Sequence, residues 1–506
     1  MTNPLFDGLL ATGRTTPDKC FAILPDGREF TYADVEAVSA RFANALVALG
    51  VEPGDRVAVQ ADKSIEALML YLGTVRAGGV FLPLNTAYTP TEIDYFLNDA
   101  KPRVFVCDPA KRDGLAATAE GAGARLETLG ARATDAGSLN AQADAASGEF
   151  VTVARQPSDL AAILYTSGTT GRSKGAMLTQ DNLLSNAEVL RDYWRFTADD
   201  VLLHLLPIFH THGLFVASNT AMIAGGTMIF LPKFDVEQVF KYLPQATAMM
   251  GVPTFYTRLL ADERLNRERT AHMRLFTSGS APLLAETHRA FEERTGQRIL
   301  ERYGMTETNM STSNPYEGER RAGTVGFPLP GVELRIVDAD TAKPLPDGEI
   351  GVIEVKGPNV FCGYWQMPEK TAAEFRADGF FITGDLGLID PQGYVTIVGR
   401  GKDLIISGGF NIYPKEVELA LDELPGVVES AVIGVPHPDF GEGVVGVVVA
   451  ERPLDEAELT SALAERLARF KQPKRIVFVD ELPRNTMGKV QKNILRDRFA
   501  DLLGDK

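Results

Sequence analysis

Two apolar spacings take turns along about the first 330 residues of the chain. "DRVAVQA", Asp55 to Ala61, is a short and nearly continuous apolar run, which predicts a buried strand. "SIEALMLYLGTVRAG", Ser64 to Gly78, repeats its apolar positions near every 3.6 residues and ends on glycine, which predicts a helix. "FVCDP" (Phe105–Pro109) and "AAILYTS" (Ala161–Ser167) follow the strand logic again. This β–α alternation predicts parallel sheets flanked by helices. The stretch from about Gly114 to Pro157 is rich in Ala, Gly and Asp and reads as a surface excursion.

After Gly326 the pattern shortens. "ELRIVD", "EIGVIEVKG" and "GYVTIVGRG" are brief strands separated by Pro-Asp-Gly and Pro-Gln-Gly turns. From Lys402 onward, "DLIIS", a helical "PKEVELALDEL", the strands "ESAVIGVP" and "GVVVAE" and a last helical stretch predict a small α+β domain of about a hundred residues. The join falls at "GRGKD", Gly399 to Asp403, so the expected domains are 1–400 and 401–506. "GLFVASNTAMIAGGTMIFL", Gly213 to Leu231, has no charge and is long enough to raise the question of a membrane span. Ser218, Asn219, Thr220 and the Gly225-Gly226 pair divide it into a buried helix, a turn and a strand.

A length of 506 residues implies two to four structural units. With 45% hydrophobic and 23% charged residues the chain has the composition of a globular protein, and its net charge of −16 argues against a general nucleic-acid or anionic-membrane binder. A small anionic substrate in a locally positive pocket remains compatible. Cys20, Cys107 and Cys362 lie far apart, which suggests neither a disulfide framework nor a cysteine zinc site. The N-terminus lacks a basic stretch followed by a long apolar core, so no signal peptide is expected and a cytoplasmic setting is.

The chemistry concentrates in "ILYTSGTTGRSKGAM", Ile163 to Met177. It is not a Walker loop. Glycines let backbone amides approach phosphate oxygens, Thr166, Ser167, Thr169, Thr170 and Ser173 add hydroxyl donors, and Lys174 adds charge. Any one such stretch can equally be a flexible surface loop. Its companions are "YGMTET" (Tyr303–Thr308), "FFITGDLGLID" with Asp385, "GRGKDLIISGGFNIYPKEVE", and "LPRNTMGKVQK" with Lys489. Five motifs in this order and spacing resemble the adenylate-forming, AMP-binding superfamily of acyl-CoA synthetases, and the resemblance covers essentially the whole chain.

That resemblance implies an α/β adenylate-forming fold, with a large N-terminal domain of parallel α/β subdomains plus a β subdomain and a small mobile α+β C-terminal domain. It implies ATP, Mg²⁺ and coenzyme A. Thr166, Ser167, Gly168, Thr169, Thr170, Gly171 and Lys174 would hold the ATP phosphates, and Tyr303 would stack on adenine. Glu307 and Thr166 would meet Mg²⁺, with Thr166 or Thr306 on phosphate oxygens. Asp385 would accept both ribose hydroxyls, with Arg400 near ribose or phosphate. Lys489 would reach the acyl carboxylate and the α-phosphate. The resemblance also implies two half-reactions, carboxylate plus ATP to acyl-adenylate and pyrophosphate, then thioester formation with release of AMP. Lys402 matches the family's hinge, and Gly408 and Gly409 would lie along the pantetheine arm. An ordinary packed Tyr303, an Asp385 turn cap and a solvated Lys489 are the alternatives.

The acid is expected to carry a second negative charge. Arg258, in "GVPTFYTRLL", stands in a segment that resembles one lining the family's acid pocket, and Ser280 stands in "SGSAPL" where many relatives have glycine or alanine. His210 and His212 lie in "PIFHTHG". A cation in such a pocket is costly unless an anion answers it, and a distal carboxylate would do so with paired charge-assisted bonds. These stretches are similar to those of malonate-activating members of the family, with some acceptance of methylmalonate, so Arg258 and Ser280 would bind the distal carboxylate and His210 would help close the pocket. Arg258 could instead pair with Asp262 one helical turn on, and His210 could be a core histidine. Competing functions are a synthetase for another short or aromatic acid, an adenylation module loading a carrier protein, a luciferase-like oxidative enzyme and a non-catalytic nucleotide binder. Lys489 is also a plausible substrate for a lysine acetyltransferase and deacetylase pair, since acetylation would remove its charge.

Overall fold

The computed structural model describes residues 2–130, 136–166, 173–407, 410–485 and 488–504. The chain divides into two compact units, Met1–Glu333 with Val355–Phe381, and Leu334–Glu354 with Ile382–Lys506.

Among the described residues, the larger unit contains two sheets. In the seven-stranded sheet, Leu160–Thr166, Val80–Pro83, Arg56–Gln60, Val104–Cys107 and Arg125–Thr128 run parallel to their neighbours. Lys174–Thr179 returns antiparallel beside Leu160–Thr166, and Gly363–Tyr364 closes that edge. The predicted helix after the first of these strands is Ile65–Arg76, started by Ser64, whose side chain accepts from the Ala67 amide. Such a cap contributes about 1 kcal/mol by satisfying one of the free amides of the first turn. Every residue of that helix is buried, Glu66, Thr74 and Arg76 included.

The stretch read as a surface excursion is instead part of this sheet's packing. It forms the helix Arg112–Ala122, the parallel edge strand Arg125–Thr128 and the helix Ser138–Ala145. Leu115, Ala119, Ala122 and Ala124 join the core beside Phe96 and Phe105. Alanine packs helix against sheet without contributing the large apolar side chains on which periodicity is read.

The nine-stranded sheet runs, in spatial order, Phe327–Pro328, Thr312–Ser313, Leu300–Tyr303, Leu275–Ser278, Ala248–Gly251, Val201–His204, Thr227–Phe230, Cys20–Ile23 and Glu29–Thr31. Its central pairs are parallel. The uncharged run becomes a π-helix, His212–Ser218, continued by the α-helix Asn219–Ala224, a left-handed Gly225 and the strand Thr227–Phe230. Among the described residues no helix is long and apolar enough to cross a membrane.

The smaller unit pairs Phe381–Ile389 with Val395–Arg400 in a four-stranded sheet. A five-stranded sheet follows, with Val427–His437 and Gly441–Ala450 at its centre. The helix Pro414–Asp422 covers one side through Val417 and Leu421, and Leu495 of the helix Lys492–Arg498 packs into a second cluster.

Candidate active site

The strands Leu160–Thr166 and Lys174–Thr179 form the stem of the glycine-rich loop, with Thr166 opposite Lys174. Ser167, Gly168, Thr169, Thr170 and Gly171 lie outside the described residues, as do Gly408 and Gly409. At the stem, Thr166 Oγ1 donates to Glu307 Oε1 at 3.3 Å. The Lys174 ammonium lies 3.2 Å from Glu374 Oε1 and 4.1 Å from the centre of the Tyr364 ring.

Glu307 reaches this point because the chain turns back sharply after the strand Leu300–Tyr303. A Cβ on Gly304 would fall 1.7 Å from the Asn309 carbonyl oxygen, so only glycine fits there. Asn309 itself adopts the left-handed conformation at φ 47°. The returning segment is held by Phe361, whose amide donates to the Glu307 carbonyl at 2.8 Å, and by Asn359 Nδ2, which donates to the Thr308 carbonyl at 2.7 Å. Tyr303 and Thr306 are half-buried on either side of the turn, and Glu307 is buried. Glu307 and Thr166 are oxygen donors of the kind Mg²⁺ takes alongside substrate phosphates. Among the described residues there is no group of three or more His, Cys, Asp or Glu side chains that could hold a metal ion.

Arg302, one residue before Tyr303, was not singled out in the sequence. It is 3% exposed, and among the described residues its Nε and Nη2 have no hydrogen-bond partner. Gly279 makes room for it, since a Cβ there would lie 2.3 Å from Arg302 Nη1. Burial pulls the Arg302 pKa down to about 9, which still leaves it charged at neutral pH. Around it stand residues from the uncharged run and from "SGSAPL". A Cβ on Gly213 would sit 2.0 Å from the Pro207 carbonyl, so the π-helix begins in a tight turn. His212 Nδ1 lies 3.1 Å from Ser280 Oγ, and the His212 amide donates to His210 Nδ1 at 3.3 Å. Ser280 has φ 70°, a strained conformation for a residue with a side chain. Burial, then the charge of Arg302, lowers the His210 pKa to about 4, and the same causes lower His212 well below its ordinary value. Both imidazoles are therefore neutral near pH 7, and His212 Nε2 and Ser278 Oγ are buried without partners among the described residues.

Arg258 lies elsewhere in character. It is exposed in the last turn of the helix Pro253–Leu260, with its guanidinium 4.9 Å from the centre of the Phe234 ring. Asp262, its alternative partner, is engaged by Arg264 at 2.7 Å. The signal for Arg302 was present in "ILERYG": two adjacent charges, Glu301 and Arg302, interrupt a strand paired on both sides within a sheet.

In the smaller unit, Asp385 and Arg400 face each other across antiparallel strands, 2.8 Å apart, with Asp385 buried. Lys489 sits on a tight turn where its amide donates to Asn485 Oδ1 at 2.9 Å and Gly488 takes φ 75°. The Lys489 side chain is exposed, yet protein crowded around its ammonium lowers its pKa to about 8. Arg400 and Lys402 add to this lowering, and Asp385 and Asp403 oppose it. The structure thus gathers Asp385, Arg400, Lys402 and Lys489 into one charged neighbourhood. Lys402 is exposed in the short turn Gly401–Asp403.

The AMP-binding enzyme family matches residues 10–365, and the AMP-binding enzyme C-terminal domain matches residues 416–489. The chain is similar to the malonate–CoA ligase of Arabidopsis thaliana, at 34% identity over 94% of this chain and 85% of that protein. It is 37% identical to the sulfoacetate–CoA ligase of Cupriavidus necator over 94% of each. The structure of ATP-bound MatB from Rhodopseudomonas palustris superposes with a TM-score of 0.97 at 61% identity, covering 99% of this chain and 100% of that one.

Proposed function

The chain belongs to the family of AMP-binding enzymes, and from that premise we propose that it is an ATP-dependent malonyl-CoA synthetase. That it is an AMP-forming CoA ligase follows from the family, with ATP and coenzyme A as co-substrates. The choice of acid rests on one observation, the buried guanidinium of Arg302, whose Nε and Nη2 meet no partner among the described residues. A buried charge without a counter-ion costs several kcal/mol, which binding of an anion would offset. A monocarboxylic acid cannot do this, because its one carboxylate must be at the α-phosphorus. Malonate has a second carboxylate one carbon away. Sulfoacetate, the acid in the name of one relative, also carries a second anion.

In this reading Arg302 and Ser280 bind the distal carboxylate. Neutral His210 and His212 line the pocket without adding charge that would admit further anions. Arg258, expected from the sequence to bind the distal carboxylate with Ser280, is retained as a second cation for it, from an exposed position over Phe234. The proximal carboxylate oxygen attacks the α-phosphorus, and pyrophosphate departs. Mg²⁺, when bound, would offset phosphate charge, and Glu307 with Thr166 would hold it. Tyr303 offers adenine a ring face, and Asp385 exchanges its bond with Arg400 for the ribose hydroxyls. Lys489 supplies the cation for charge developing on the phosphoryl centre. The thiol of coenzyme A then attacks the carbonyl carbon of malonyl-adenylate and AMP leaves. Lys402 is the proposed hinge between the domains 1–400 and 401–506, and Gly408 and Gly409 are proposed to let backbone approach pantetheine.

The test is a panel of mono- and dicarboxylic acids assayed for AMP release with and without coenzyme A. Malonate should lead, methylmalonate should follow, and AMP release should depend on the thiol. A preference for propionate or an aromatic acid over malonate would overturn the assignment.

A further inference from the structure

A lysine at the end of a phosphate loop is ordinarily read as a phosphate ligand, but the surroundings of Lys174 give it another task. Its side chain is buried, its ammonium lies 3.2 Å from Glu374 Oε1, and the Tyr364 ring covers it at 4.1 Å. Glu374 closes the helix Pro368–Glu374 and also receives Lys370 at 2.8 Å. Its other oxygen accepts the Tyr364 hydroxyl at 2.6 Å. The same hydroxyl lies 3.1 Å from Glu307 Oε1, the oxygen that Thr166 also reaches. Tyr364 is itself fixed, because its strand pairs with Lys174–Thr179 and its amide donates to Thr371 Oγ1 at 2.9 Å. The chain of contacts therefore runs from Lys174 through Glu374 and Tyr364 to Glu307.

We propose that Glu374 and Tyr364 are positioning residues that orient the Glu307 carboxylate for the metal–nucleotide complex, and that Lys174 serves this chain of contacts in place of binding phosphate. The last torsion of a glutamate is soft, so a carboxylate that must meet a cation at a set angle needs an outside hold. Thr166 donates to Glu307 Oε1, and Tyr364 shares its single proton between Glu374 at 2.6 Å and the same Glu307 oxygen at 3.1 Å, the shorter bond being to Glu374. One phenol proton cannot serve two carboxylates equally. Lys174 at 3.2 Å and Lys370 at 2.8 Å answer the Glu374 carboxylate, whose Tyr364 partner also touches Glu307. If Lys174 swung onto a phosphate, two neighbouring carboxylates would be left with one fewer cation in a water-poor site.

This inference rests on the adenylation reading above. The test measures Mn²⁺ binding by electron paramagnetic resonance, in the presence of a non-hydrolysable ATP analogue, for the parent, Glu374→Gln and Tyr364→Phe. Both variants should bind the metal–nucleotide complex about tenfold more weakly, the range found when a ligand's outer partner is removed. The double variant should be little worse than either single one, because both break the same chain. Raised Mg²⁺ should restore kcat in Glu374→Gln. Both variants should still form thioester from supplied malonyl-adenylate, which shows that they fold. If Glu374 were merely a stand-in for phosphate on Lys174, Glu374→Gln would free the lysine and tighten binding. Tighter or unchanged binding in either variant overturns the proposal. A parent enzyme without metal-dependent adenylate formation overturns the adenylation reading itself.

Discussion

Replacing Arg302 by methionine should make the enzyme more stable and nearly inactive on malonate. The two effects have one cause. In the free protein the guanidinium is 3% exposed, with Nε and Nη2 lacking partners among the described residues. Removing a poorly compensated buried charge in favour of an apolar side chain of similar length stabilises by roughly 1–4 kcal/mol. For a unit of this size that raises Tm by roughly 1–5 °C. With malonate bound the sign reverses, because the distal carboxylate would be left buried without its cation. Breaking such a pair costs about 3–5 kcal/mol. At about 1.4 kcal/mol per decade, kcat/KM for malonate should fall by roughly two to three and a half orders of magnitude. Propionate activity should change far less. The assays are thermal unfolding with and without malonate, and kcat/KM for malonate and propionate by pyrophosphate release. Malonate should raise the Tm of the parent and not of the variant. Arg258→Ala is the contrast: an exposed cation contributes about 0–1 kcal/mol to a charged pair, so malonate efficiency should fall less than about tenfold. A malonate-to-propionate ratio unchanged in Arg302→Met refutes the argument for a second carboxylate. A lowered Tm would show that Arg302 supports the fold.

Lys489→Ala should abolish adenylate formation and spare much of the thioester step from supplied malonyl-adenylate, and equal loss in both assays would point to a folding defect. Lys402→Pro should spare adenylation and suppress thioester formation, because a fixed φ hinders rotation at the Gly401–Asp403 turn, and normal thioester formation would remove Lys402 as the hinge. Lys489 is lowered to about 8 and acts in its charged form, so log kcat/KM for adenylation should be flat below that pH and fall with unit slope above it. Lys489→Arg should remove that descending limb, and a limb that persists belongs to another group.

Local chemistry alone determined most of the architecture. Ser64 and the 3.6-residue spacing after it set the helix Ile65–Arg76, and the glycine pair at Gly225 and Gly226 divided the uncharged run as expected. The order of the five motifs carried the family, because each is a short continuous segment whose backbone geometry depends on its own residues. Packing decided the rest. Gly114 to Pro157 looked like surface because many of its contacts are made by alanines, with Leu115 and Leu139 too widely spaced to mark a period. Arg258 and Arg302 are equally plausible pocket cations by type and neighbourhood in the chain, yet one lies exposed over Phe234 and the other is buried beside Gly279. Lys174 and Glu374 are 200 positions apart and meet at 3.2 Å. What a charged side chain does depends on the few groups within about 4 Å of it and on the water excluded there. Residues far along the chain supply those groups, and no spacing rule within a motif reports them.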